Sequence, residues 1–159
     1  MPAEHLLDFE KTDLSRVVAT RTDIETKIKQ RGRFSLLDGI LDHGDSSHVI
    51  VGFKDIRADD WWAPDHIPGR PIFPGALIIE AAAQLATYDY IRRNPPPSDI
   101  FLGFGGLDSV RFRGIVEPGV RLLLVSKGLR LRSRMFTYAV QAFVERTLVF
   151  EGEVLGIIV

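Results

Sequence analysis

At Pro74-Gly75 the chain changes character within a single step. Upstream, Pro68, Gly69, Pro71 and Pro74 follow His66 closely. Prolines at that density exclude both a helix and a regular strand. Downstream, from Gly75 to Ala86, every residue is small or apolar except Glu80 and Gln84. That run predicts a helix that is apolar all round and therefore buried. It continues to about Arg93, where Asn94-Pro95-Pro96-Pro97 ends it. Glu80 and Gln84 are four apart and share one face. A lone carboxylate in such a setting is costly unless it is paired or protonated.

The rest of the chain constrains what surrounds this helix. A length of 159 residues suits one domain over residues 1–159, with an N-terminal arm over about 1–21. The net charge of -1 gives no general argument for nucleic acid or an anionic membrane surface. There are no cysteines, which excludes disulfides and thiolate zinc sites. The first twenty residues carry Glu4, Asp8, Glu10 and Asp13 and no apolar run, unlike a signal peptide. The apolar run 76–86 is too short for a membrane span. A cytoplasmic location is the expectation.

Thr22-Asp23-Ile24-Glu25 matches a capping box, and Gly32 is a plausible stop, so a short helix is expected between them. Residues 34–41 read either as a strand or as an irregular edge. Asp42-His43-Gly44-Asp45-Ser46-Ser47 has turn chemistry. Val49, Val51 and Phe53 then alternate with His48, Gly52 and Lys54 as a strand does. Residues 59–75 form a long loop holding Trp61 and Trp62, and such loops tend to be functional. After the helix the chain reads as strands over 100–105, 109–116, 120–132, 135–145 and 148–159. Turns are expected at Glu117-Pro118-Gly119, Arg132-Ser133-Arg134 and Glu145-Arg146-Thr147. With no βαβ alternation, the fold class is α+β: a curved antiparallel sheet wrapped around one long central helix.

Two blocks carry a resemblance. The first is His66-x-Pro68-Gly69-x-Pro71-x-x-Pro74-Gly75-x-Leu77-x-x-Glu80-Ala81-x-Ala83-Gln84. The second is Phe104-x-Gly106-x-Asp108-x-x-Arg111-Phe112-Arg113, then Val116-x-Pro118-Gly119. Over roughly residues 28–159 the chain resembles the β-hydroxyacyl-acyl-carrier-protein dehydratases of fatty-acid synthesis (FabZ and FabA). The resemblance implies the hot-dog fold. It implies His66 as base, Glu80 as acid and the Gly75 amide facing the thioester carbonyl, with Phe73, Pro74 and Gln84 also at the substrate. In that family each site takes its His from one subunit and its Glu from the other. A homodimer, or a trimer of dimers, is therefore implied, acting on acyl-carrier-protein or CoA thioesters without a cofactor.

The residue types suit that chemistry. Removing water from a 3-hydroxyacyl thioester needs a base at C2, an acid at the departing hydroxyl and a donor to the carbonyl. A neutral imidazole titrates near working pH. Burial of Glu80 would favour its protonated form. A glycine at a helix start presents a free N–H with the helix dipole behind it. Blander readings stand beside these. His66 could only hydrogen-bond a loop, Glu80 could pair with an arginine, Gln84 could orient Glu80 or only cap a cavity, and Gly75 could only permit a turn.

Other features admit two readings each. Asp42, His43, Asp45 and His48 form either a metal cluster or a hairpin turn, and the chemistry needs no metal. Arg92, Arg93, Arg111, Arg113, Arg130, Arg132 and Arg134 either steer an acidic carrier protein or coat solvated surfaces. Trp61 and Trp62 line a channel mouth or anchor the core or an interface.

Departures from the family pattern lie around the site. Asp65 and Ile67 replace the usual Gly and Phe beside the histidine. Gln30-Arg31-Gly32-Arg33-Phe34 replaces a His-Arg-Tyr-Pro-Phe block, and Val120 stands where Asp usually follows Pro-Gly. Asp65 could stabilise imidazolium or orient the ring. An acid that is Glu rather than Asp favours a plain dehydratase over the isomerising relative. The competing functions are a hot-dog acyl thioesterase and a non-catalytic acyl-binding relative.

Overall fold

The computed structural model describes residues 3–97 and 100–159. Seven strands form one antiparallel sheet in the order β1-β2-β3-β5-β6-β7-β4. They are β1 (Ala19–Thr20), β2 (Gly39–Asp42), β3 (Val49–Asp55), β4 (Leu102–Phe112), β5 (Arg121–Leu131), β6 (Met135–Val144) and β7 (Thr147–Ile158). The helices are α1 (Arg21–Glu25) and α2 (Gly75–Arg93), with a short 3-10 turn at Gly32–Phe34. The expected sheet around a central helix is what forms, and α2 keeps its expected bounds.

Alternation along the strands sends side chains to two separate cores. Leu122, Leu124, Tyr138, Val140, Ala142 and Phe150 face α2, where Ala81, Ala82, Leu85 and Ala86 meet them. Val49, Val51, Phe53, Leu123, Val125 and Phe143 face the opposite way and form a second cluster with Leu7. Leu6, Phe9 and Leu14 of the N-terminal arm pack against that cluster. The Gln141 amide holds the arm in place, accepting the Leu6 N–H at 2.8 Å and donating to Glu4 O at 2.8 Å. The apolar stripe of β3 thus faces the arm, while Ile50 and Gly52 face the helix.

Three local expectations are corrected. The capping box belongs to Thr20 and Asp23, not Thr22 and Glu25: the Asp23 carboxylate accepts the Thr20 N–H at 2.8 Å, and Thr20 Oγ1 accepts the Asp23 N–H at 3.3 Å. Pairing of Ala19 and Thr20 with β2 fixes the chain just before the helix, so the helix must start at once. It ends at Glu25 with Thr26 as its C-cap, and Gly32, at φ 60°, opens the 3-10 turn instead of stopping α1. Residues 34–41, read as either strand or irregular edge, divide between the two: 39–41 enter β2 and 34–38 lie outside any strand. Residues 100–105 and 109–116 are not two strands. β4 runs through Leu102–Phe112 along the 12-residue β7, and register shifts at Phe104/Gly106 and Asp108/Arg111 absorb the interruption.

The C-terminal end of α2 is clamped to the β2–β3 hairpin and to β6. Asp89 is buried, accepts the Tyr138 hydroxyl at 2.7 Å and pairs with Arg93 at 2.9 Å. Arg92 pairs with Asp45 at 2.6 Å, and His43 Nε2 bonds the Tyr88 hydroxyl at 3.0 Å. Cations in the last turn also suit the helix dipole.

Two predictions follow from this packing. A Cβ on Gly156 would overlap the Phe136 ring, which lies across it in the β6–β7 register. Gly156→Ala should lower the unfolding free energy by about 1–3 kcal/mol in urea titrations. Burial, with Arg92 beside it, holds the His43 imidazole below its ordinary 6.5, against the opposing pull of Asp45, Asp42 and Asp89. The unfolded chain therefore binds this proton more readily. The His43 contribution is complete above about pH 6.5 and is lost as pH falls through the lowered value. Replacing it, in His43→Asn, should reduce the stability lost on acidification from about pH 7 to about pH 5.

Candidate active site

The loop before α2 is fixed at both ends. Trp62 and Phe73 are buried and meet edge to face, ring centroids 5.2 Å apart. Trp62 O accepts the His66 N–H at 2.9 Å, and the Phe73 N–H donates to Val116 O at 2.8 Å. Trp62 is thus a core anchor, while Trp61 is partly exposed and lies 6.3 Å from the Phe34 ring.

His66 sits half-buried between these anchors, with its Nδ1 2.7 Å from Ile72 O. A carbonyl can only accept, so Nδ1 carries the hydrogen and Nε2 of the neutral ring keeps its lone pair. The reversal that brings Ile72 O to the ring uses Ile67 at φ 58° and Gly69 at φ 88°. A β-branched residue at positive φ is a strained choice, and strain of this kind concentrates at functional sites. Asp65 is exposed, and its carboxylate makes no hydrogen bond or ion pair among the described residues. The backbone carbonyl, not Asp65, orients the imidazole.

Glu80 lies on α2, where its Oε1 accepts from Gln84 Nε2 at 2.9 Å. Gln84 is buried and uses its whole amide: Oε1 accepts the Leu36 N–H at 3.1 Å, and Nε2 also donates to Phe34 O at 2.7 Å. Flipping that amide would set N–H against N–H and oxygen against oxygen, so its orientation is fixed. Glu80 Oε1 is thereby always an acceptor, and a proton on this carboxyl belongs on Oε2. No arginine pairs with Glu80 among the described residues. Contrary to expectation, α2 is not covered all round. Ala76 is exposed, and Ile79 and Glu80 are half-buried, because the sheet covers only one side of the helix.

Gly75 opens the 19-residue helix after Pro74, which supplies no side-chain cap. Among the described residues the Gly75 N–H has no acceptor. It is a free donor at the positive end of the helix dipole. Phe73, Pro74 and Gly75 are adjacent at this helix start, and Gln84 stands behind Glu80. No hydrogen bond or ion pair joins His66 to Glu80 within the chain among the described residues.

The other candidates have structural work. Asp42 accepts the Gly44 N–H at 2.8 Å, and Asp45 and His43 belong to the hairpin clamp. Among the described residues no three His, Asp or Glu side chains could hold a metal ion. Arg92, Arg93 and Arg113 are tied to Asp45, Asp89 and Glu151. Arg111, Arg130, Arg132 and Arg134 are exposed and make no ion pair among the described residues. The roles of Ile72 O, Phe34 O and Leu36 N had no sequence signal, since any residue supplies those backbone groups.

Known proteins resemble this chain in sequence and in fold. The FabA-like domain matches residues 28–153. The 3-hydroxyacyl-acyl-carrier-protein dehydratase FabZ of Syntrophobacter fumaroxidans is 39% identical over 136 residues, covering 82% of this chain and 88% of that one. FabZ of Moorella thermoacetica is 35% identical over 132 residues, covering 83% and 91%. Among solved structures, the ApeI:P dehydratase heterocomplex of Xenorhabdus doucetiae superposes with a TM-score of 0.72 at 15% identity, covering 89% of this chain and 91% of that one. A mutant thioesterase of Pseudomonas aeruginosa gives 0.66 at 11% identity, covering 92% and 98%. Those two likenesses share the sheet-around-helix fold across different chemistries, whereas the sequence matches run through the loop and helix just described. On that ground the chain belongs to the FabA-like family, among the FabZ-type 3-hydroxyacyl-acyl-carrier-protein dehydratases with the hot-dog fold.

Proposed function

We propose that this protein is a hydro-lyase that dehydrates 3-hydroxyacyl thioesters on acyl-carrier protein to trans-2-enoyl thioesters, in cytoplasmic fatty-acid synthesis. The observation that carries the reading is the His66 Nδ1–Ile72 O hydrogen bond at 2.7 Å, which leaves Nε2 free as a base. The thioester carbonyl oxygen accepts the Gly75 N–H, which makes the C2 proton more acidic. His66 Nε2 takes that proton. The C2–H electron pair becomes the C2=C3 bond as the C3–O bond breaks. Glu80 Oε2 gives its proton to the departing hydroxyl, and water leaves. Return of the proton from imidazolium to the Glu80 carboxylate resets the site. Phe73 and Pro74 shape the entry beside Gly75, and Gln84 holds Glu80.

The two catalytic groups do not contact each other within one chain, so we place them in a homodimer, His66 from one subunit facing Glu80 from the other. Two uncovered surfaces support this. β4 is an edge strand that exposes Phe104 and Leu107. α2 leaves Ala76 exposed and Ile79 and Glu80 only half-buried. Long apolar edges of this kind call for a partner. Such a partner would cover the half-buried Glu80.

Incubation with a 2-butenoyl thioester separates the possible activities. Hydration supports the reading, and release of free thiol without hydration would point to a thioesterase. His66→Ala and Glu80→Gln should each lower hydration by about 10²–10⁴-fold. Wild-type rates in both would refute the assignment. Gln84→Leu leaves the Leu36 N–H and Phe34 O without partners. It should cost about 1–3 kcal/mol of stability and lower kcat with little change in KM.

A further inference from the structure

Phe112 holds a place that the reaction above leaves unused. It ends β4 opposite Phe150, with ring centroids 5.4 Å apart. The side chain is 52% exposed, yet its ring lies directly on Gly75. A Cβ built on Gly75 would stand 2.8 Å from Phe112 Cε1 and 2.9 Å from Cζ, closer than two carbons pack. The chain beyond β4 stays alongside: Val116 O accepts the Phe73 N–H at 2.8 Å. Residues 112–116 therefore run along 73–75, and Phe112 packs on the residue whose N–H is free.

An oxygen bonded to that N–H lies about 3 Å from the nitrogen. Because Phe112 packs on Gly75 itself, its ring is the side chain placed to meet a carbon skeleton attached to such a carbonyl. We infer that Phe112 is a specificity-determining residue whose ring limits bulk beside the carbonyl, admitting acyl groups unbranched at C2 and rejecting a 2-methyl branch. The inference rests on the dehydratase reading. One methyl group in an apolar site discriminates by about 10–200-fold, which sets the expected scale.

The test compares hydration of 2-butenoyl and 2-methyl-2-butenoyl pantetheine thioesters by the wild-type chain, Phe112→Leu and Phe112→Ala. The intrinsic effect of the methyl cancels when each variant's kcat/KM ratio is divided by that of wild type. The branched-to-unbranched ratio should rise about tenfold or more in Phe112→Ala and by less in Phe112→Leu. An unchanged ratio, with both substrates slowed alike, would reduce Phe112 to packing and overturn the inference. Phe112→Leu keeps an apolar side chain against Phe150, so its ratio decides the matter if Phe112→Ala does not fold. Brisk hydration of the unbranched substrate with no ratio change refutes this inference alone. Hydration of neither substrate by wild type refutes the dehydratase reading and this inference with it.

Discussion

Helix α2 fits the concave face of the sheet because its inward side chains are small. Ala81, Ala82 and Ala86 are wholly buried against the strands, and Gly52 gives way to Leu85, whose Cδ1 would stand 3.1 Å from a Cβ there. Close approach of helix and sheet fixes the height of the helix and therefore the positions of Gly75 and Glu80. A buried amide then locks the register. Gln84 joins α2 to Phe34 and Leu36 and leaves one N–H for Glu80. The same residue that completes the hydrogen bonding of a buried backbone segment also sets which oxygen of Glu80 is free. In the proposed reaction one side chain would serve both structure and chemistry.

The opposite face of the sheet obeys the same physics with a different partner. Leu123, Val125, Val49, Val51 and Phe53 form an apolar surface that would be exposed on a bare sheet. The N-terminal arm covers it through Leu7 and is held in place by Gln141. Arm and helix thus bury the two faces of one sheet, and each face is legible as alternate positions of the same strands.

Much of this was legible because periodicity and proline placement act locally. The helix from Gly75 to Arg93 was readable from its apolar run and the prolines on either side. Membership of the dehydratase family was readable from residue types and the resemblance. What escaped the sequence depends on partners far along the chain. The capping box moved to Thr20 because β1 pairs with β2. Two apparent strands fused into β4 because β7 is long enough to hold both. The uniform apolar character of α2 suggested burial on every side. A sheet covers only one side, which left Glu80 and Ile79 half-exposed. Asp65 offered itself as a partner for the His66 ring, yet the loop reversal at Ile67 and Gly69 hands the ring to Ile72 O instead. Backbone carbonyls have no sequence signature, so such a contact can be found only in the folded chain.

The central claim is a site shared between two subunits, with His66 from one and Glu80 from the other. It is tested most directly by mixing. His66→Ala and Glu80→Gln proteins, each expected to be strongly impaired alone, are unfolded together in equal amounts, refolded and assayed for enoyl-thioester hydration. Random pairing gives about half mixed dimers, each with one intact site, so the account predicts recovery of about a quarter of wild-type activity. Activity no greater than that of the two variants refolded separately, with mixed dimers present, would contradict it.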